Sequence, residues 1–142
     1  MRFWDTSAIV PTLLSEPSSA TMRGLTAEDP EMAVWWATPV ECLAAIARRE
    51  RSGEVVATEF ALALESLADL VAAWVEVPPT ESIRNRARRI VRLHDVPTAD
   101  AFQIAAAEVI SDHRPERLEL VTLDERLALA ARREGFTILG LP

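Results

Sequence analysis

Four acidic side chains stand where carboxylates can do chemistry as well as solvate a surface. Asp5 opens Asp5-Thr6-Ser7, directly behind the stretch Arg2–Trp4, and Glu41 closes Thr38-Pro39-Val40-Glu41. Asp100 lies in Thr98-Ala99-Asp100-Ala101 ahead of a run of small residues, and Asp124 closes Val121-Thr122-Leu123-Asp124. Gathered carboxylates suit hard divalent cations, which prefer oxygen ligands. Mg²⁺ typically takes one or two of them and completes its shell with water and substrate phosphate. Each acid also has an ordinary structural use. Asp5 and Asp124 suit helix N-caps, Glu41 can complete a capping box begun by Thr38, and Asp100 complements a helix dipole from the first turn. With 22 acidic residues in the chain, some must fall at helix starts, so none of the four is diagnostic singly.

The elements that would position these acids alternate between strand and helix. A strand over Arg2–Trp4 leads into a helix over about 8–15, and Ser18 or Ser19 caps a second helix reaching Ala27. Met32–Trp36 has strand character through Val34, Trp35 and Trp36. Thr38 as cap, with Pro39 at the first helical position, predicts a helix to about Arg51 that stops near Gly53. Apolar residues at 56, 60, 63, 64, 67, 70 and 71 give Glu54–Ala73 a helical period. Val75–Val77 reads as a strand, Thr80 caps a helix to about His94, and Pro97-Thr98 opens another over Ala99–Ile110. Leu118–Thr122 is an apolar-rich strand, Asp124 starts a last helix that Gly135 ends, and Phe136–Leu139 is a final strand. Strands separated by helices predict an α/β fold with a mostly parallel sheet covered on both faces. Ligands in such sheets bind beyond the carboxyl ends of the strands, where Asp5 and Asp124 are expected.

At 142 residues the chain reads as one domain over 1–142, able to bury about 68–70% of the surface its unfolded form exposes. No window approaches the ~20 apolar residues of a membrane helix. The opening Met-Arg-Phe-Trp-Asp carries no apolar signal core, so a cytoplasmic protein is expected. Cys42 is the only cysteine, which excludes an internal disulfide, and no paired base accompanies it for nucleophilic catalysis. A net charge of −7 argues against general polyanion binding. Lysine is absent, so a cationic phosphate contact must use an arginine fork. His94 and His113 lack metal-ligand spacing and read as surface residues.

The four acid motifs, in this order, resemble the PIN-domain nucleases, most closely the VapC-like toxins of bacterial and archaeal toxin–antitoxin pairs. The resemblance spans nearly the whole chain and implies a three-layer α/β PIN fold. It further implies that Asp5, Glu41, Asp100 and Asp124 converge at one end of the sheet, hold Mg²⁺ or Mn²⁺ and cut RNA, leaving 5′-phosphate and 3′-hydroxyl ends. Ser7 and Thr122 would then orient the acids by hydrogen bonding. Expected partners are the RNA substrate, a small antitoxin offering an amphipathic helix and a basic side chain, and a second copy in a homodimer.

Arg84, Arg88 and Arg92 recur at four-residue spacing on one helix face, opposite Ile83, Ala87, Ile90 and Val91. They read either as a solvated face or as a patch tracking the RNA backbone. Arg48, Arg49 and Arg51 read as solvated. Trp35 and Trp36 can stack bases, though such a pair is more often half core and half interface. The stretches near 8–25 and 54–73 fit a groove for a partner helix and fit core packing equally well. Alternatives to a toxin are an inactive PIN-like module that only binds RNA or protein, and a PIN nuclease of RNA processing. The intact acid set disfavours the former. An aspartyl-nucleophile phosphatase is a poor fit, because position 7 is serine and no lysine follows.

Overall fold

Alternation within β1 (Arg2–Trp4) divides the core in two, because neighbouring strand residues point to opposite sheet faces. The computed structural model describes residues 1–141. In chain order follow α1 (Thr6–Leu13), α2 (Ser19–Glu28), β2 (Met32–Trp35), α3 (Thr38–Arg51), α4 (Ala57–Ala73), β3 (Val75–Val77) and α5 (Glu81–Leu93). Then come α6 (Thr98–Ile110), β4 (Glu119–Val121), α7 (Glu125–Arg133) and β5 (Thr137–Leu139). The strands form one sheet in the order β3-β2-β1-β4-β5, and all its pairings are parallel. Phe3 joins a core built with α5, α6 and α7, whereas Trp4 joins one built with α1 to α4. Both faces are thus covered, as an all-parallel sheet requires, and the expected three-layer α/β architecture is present. Among the described residues no helix is long and apolar enough to cross a membrane.

The alanine run of α6 has a packing purpose. Ala101, Ala105, Ala106 and Ala107 are all buried with Ile104, and their small side chains let this helix sit between the sheet, α5 and α7. Glu108, buried at its far end, is neutralised by Arg86 and Arg89 of α5 at 3.0 and 2.6 Å. Arg89 also reaches Glu134, whose other oxygen lies 2.6 Å from His94 Nε2. His94 is therefore not the surface residue its spacing suggested: its side chain is only 9% exposed. His113 does lie at the surface, beside Arg86.

Two helix boundaries differ from the sequence reading for local reasons. α1 begins at Thr6, not near residue 8, because Asp5 caps it by accepting the Ser7 N–H. α4 begins at Ala57, not Glu54. Gly53 takes a left-handed φ of 79° and the Glu54 and Val55 amides fold back onto the Arg49 carbonyl. Gly140 makes the closest backbone approach: at φ +103° an added Cβ would stand 2.7 Å from the Thr122 carbonyl oxygen. Gly140→Ala is expected to cost about 1–3 kcal/mol, by strain and displacement of the Thr122 strand end. Urea unfolding measures it, and an unchanged midpoint would contradict the approach.

Candidate active site

Because every strand runs the same way, their carboxyl ends share one sheet edge, and the chain's path reverses between β1 and β4. Crevices at such a reversal are where open α/β sheets bind ligands. Asp5 leaves β1 there in extended conformation, and its Oδ2 accepts from the Ser7 amide at 3.1 Å and the Thr122 hydroxyl at 3.0 Å. The Ser7 hydroxyl also donates to that oxygen. The two hydroxyls in turn accept backbone amides: Ser7 Oγ takes the Leu123 N–H from across the crevice at 2.9 Å, and Thr122 Oγ1 takes the local Asp124 N–H at 3.0 Å. Ser7 and Thr122 thereby tie the end of β1 to the end of β4. Asp124 caps α7, accepting the Arg126 and Leu127 amides on Oδ1 at 2.8 and 3.0 Å.

Glu41 departs from the capping box expected of it. The residue preceding α3 is Ala37, and Thr38 lies inside the helix with its hydroxyl 3.4 Å from the Gln103 amide nitrogen. The Glu41 carboxylate turns instead into the crevice, where Thr6 donates to Oε2 at 2.7 Å and Gln103 Nε2 at 2.8 Å. Long-range donors have displaced the local capping partner. Thr6 and Gln103 are thus supports that the sequence reading missed. Gln103 carried a signal, as the one polar residue between Ala101 and Ala107, a helical i,i+3 step from Asp100.

Asp100 completes the set from the first turn of α6. One open cleft of about 520 Å³ is lined by Asp5, Glu41, Asp100 and Asp124 together. Asp100 Oδ2 is buried and has no hydrogen-bond partner. Burial, followed by the negative charges of Asp124 and Asp5, pushes its pKa up to about 6. Asp5, only 6% exposed, is also raised by burial, against the lowering effect of its Ser7 and Thr122 hydrogen bonds. Cys42 is buried and its thiol is pushed up to about 12 by burial and then by Glu41 and Asp5, which removes it as a thiolate nucleophile. Arg48 and Arg49, expected to be solvated, also line the cleft. Arg49 pairs with Glu16 at 2.5 Å. Helical spacing carried that signal, since Glu41, Ala45 and Arg48 follow at i, i+4 and i+7.

Arg84, Arg88 and Arg92 are exposed on α5 as expected, yet none lines this cleft. Arg88 and Arg92 border a separate depression on α5, and Arg84 borders another beside Trp36. The tryptophan pair divides: Trp35 is buried and stacked on Phe102, and Trp36 is exposed.

Among the described residues, no three His, Cys, Asp or Glu side chains stand close enough to enclose an ion unaided. The donor chemistry nonetheless fits a hydrated hard cation, which needs only one or two carboxylates directly. An all-oxygen set containing one buried, unpartnered carboxylate oxygen suits such an ion, and would not suit a soft metal.

The fold is similar to that of a toxin–antitoxin complex from Klebsiella pneumoniae, at TM-score 0.64 and 16% identity over 90% of this chain and 91% of that chain. It is similar to FitAcB from Neisseria gonorrhoeae, at TM-score 0.65 and 18% identity over 98% and 96%. PAE2754 from Pyrobaculum aerophilum gives TM-score 0.65 and 21% identity over 96% and 81%. At these identities the likeness is one of fold. No curated protein matches the chain by sequence. The PIN domain family model, however, matches residues 2–133, nearly the whole chain. The chain belongs to the PIN domain family.

Proposed function

We propose that the chain is a Mg²⁺- or Mn²⁺-dependent endoribonuclease that acts as the toxin of a toxin–antitoxin pair. The observation that carries the reading is the unpartnered Asp100 carboxylate, lining one cleft with Asp5, Glu41 and Asp124 at the point where the sheet's topology reverses. These four side chains would hold the hydrated ion, one or two directly and the others through its water. When bound, it would supply charge neutralisation at a phosphodiester and a nucleophile at neutral pH. The chain's own residues do the positioning. Ser7 and Thr122 fix Asp5, and Thr6 and Gln103 fix Glu41, so two of the four acids are held in place by hydrogen bonds from other segments of the chain. Arg48 on the cleft wall can meet a backbone phosphate through its guanidinium fork, giving this acidic chain a local cation where RNA would enter.

Toxin–antitoxin complexes among the structures of similar fold support the partner half of the reading. We assign the antitoxin an amphipathic helix laid between α1, α2 and α4, in a depression of about 430 Å³ that includes Leu13, Met32 and Leu70. A basic side chain of the antitoxin would reach the carboxylates, and a homodimer is the expected assembly. RNA cleavage by the purified protein should require Mg²⁺ or Mn²⁺ and stop in EDTA. Full activity in EDTA would remove the mechanism. The α5 stripe gives a second expectation. Replacing Arg84, Arg88 and Arg92 by Gln should weaken RNA binding across sequences and shallow its salt dependence by about 0.7 for each phosphate no longer neutralised. An unchanged salt slope would make the stripe a solvated helix face.

A further inference from the structure

A second cleft, of about 600 Å³, adjoins the carboxylate cleft and shares Glu41 with it as a wall. Trp35 and Phe102 line its inner wall as a parallel aromatic pair, centroids 5.4 Å apart and planes 3° from parallel. Trp36 stands at its rim, 55% exposed. That exposure is not looseness of the backbone, since the Trp36 amide donates to the Val77 carbonyl at 3.2 Å and fixes the residue at the end of β2. We propose that this cleft receives an unpaired base of single-stranded RNA, stacked on the Trp36 indole, next to the phosphodiester held at the carboxylates. The proposal rests on the nuclease reading of the carboxylate cleft and adds the form in which RNA must be presented.

Three observations select this occupant. Glu41 belongs to both clefts and Thr98 precedes Asp100 by two residues, so a ligand here is a neighbour of the reacting group. The charged residues lining the cleft are Arg84, Glu81 and Glu41, so in the metal-free protein they carry no net positive charge. Such a balance gives the cleft interior no net attraction for a phosphate and leaves it open to a neutral π surface, while Arg84 faces the α5 stripe at its exposed edge. Hydroxyls of Thr80 and Thr98 at the margin can meet the polar edge of a base, which an aliphatic side chain of a protein partner would not use. Stacking of this kind tolerates any base, because every base has a π face.

The test is equilibrium binding of a short single-stranded oligoribonucleotide to the full chain in EDTA, where cleavage is expected to stop. Trp36→Ala should weaken binding about 5- to 150-fold, and Trp36→Phe should restore most of it. The salt slope should stay at its wild-type value, because stacking releases no counterions. A duplex of the same sequence should show no dependence on residue 36. Equal affinity of wild type and Trp36→Ala overturns the base site and leaves the nuclease reading standing. Failure of the wild type to bind RNA in EDTA overturns the base site, whereas failure to cleave RNA with Mn²⁺ overturns the nuclease reading. A change of oligomeric state on Trp36→Ala overturns the proposal in favour of an interface between copies, and loss of antitoxin binding without loss of RNA binding overturns it in favour of a protein partner.

Discussion

Asp100→Asn is expected to lower metal-supported RNA cleavage by at least ~100-fold while leaving the metal-free protein as stable as wild type or more so at neutral pH. Loss of a residue that merely orients a metal ligand costs about 10–100-fold, and loss of a ligand charge should reach or exceed the upper end. The stability half follows from the raised pKa of Asp100, about 6 against an unperturbed 3.8. A carboxyl group whose folded pKa is raised binds its proton more tightly when folded. It therefore costs no stability below the unfolded pKa, and the cost grows as pH rises from about 3.8 to about 6. Asn carries no charge to desolvate. Urea unfolding in EDTA should show the variant gaining on wild type across that window and holding its advantage above it. A dipole loss of about 0.3–1 kcal/mol at the α6 N-terminus works against the gain. Asp100 makes no capping hydrogen bond, so a purely dipolar role predicts only that small stability loss and wild-type cleavage.

Mn²⁺ should stabilise the wild type by about 2.7 kcal/mol at one hundred times its dissociation constant, a gain that Asp5→Asn and Glu41→Gln should each largely abolish. Thr122→Val is the sharper probe. It removes the donor to Asp5 Oδ2 and the acceptor of the Asp124 amide, so it disturbs two acids without touching a charge. We expect it to weaken Mn²⁺ about 10- to 100-fold by loss of orientation. The stabilisation by Mn²⁺ should also shrink as pH falls through about 6, where Asp100 takes up its proton. Calorimetric scans with and without Mn²⁺ at several pH values measure all of these. A metal-induced gain equal in wild type and Asp5→Asn would place the ion elsewhere.

The sheet was legible because its strands are short apolar runs punctuated by glycine, proline and capping residues. Asp5 and Asp124 lay at their carboxyl ends, whereas Glu41 and Asp100 lie in first turns of helices and were brought to that edge only by the resemblance. The positions of Asp5 and Asp124 within the fold were therefore readable; the partners of all four acids were not. Thr38 and Glu41 have the local signature of a capping box, but Thr6 and Gln103, 35 and 62 residues away in sequence, take the Glu41 carboxylate instead. His94 looked solvent-exposed because Glu134, which binds it, lies 40 residues further on. Arg48 and Arg49 looked solvated because charge alone was read there, although Arg48 shares a helix face with Glu41, two turns earlier on α3. Asp5 and Asp124 show that the structural and functional readings need not compete. Both cap helices and both line the cleft, and capping is what aims two helix N-termini at a cluster of negative charge.

The proposed cutting of RNA by these four carboxylates with a divalent ion is most directly tested with purified wild type and Asp124→Asn. Cleavage of single-stranded RNA is followed with Mn²⁺ or EDTA present, and the product ends are mapped. Wild type should cleave with Mn²⁺ only and leave 5′-phosphate and 3′-hydroxyl ends, and the variant should cut at least ~100-fold more slowly. Cleavage that persists in EDTA, leaves 2′,3′-cyclic phosphates, or is unchanged by Asp124→Asn would contradict that mechanism.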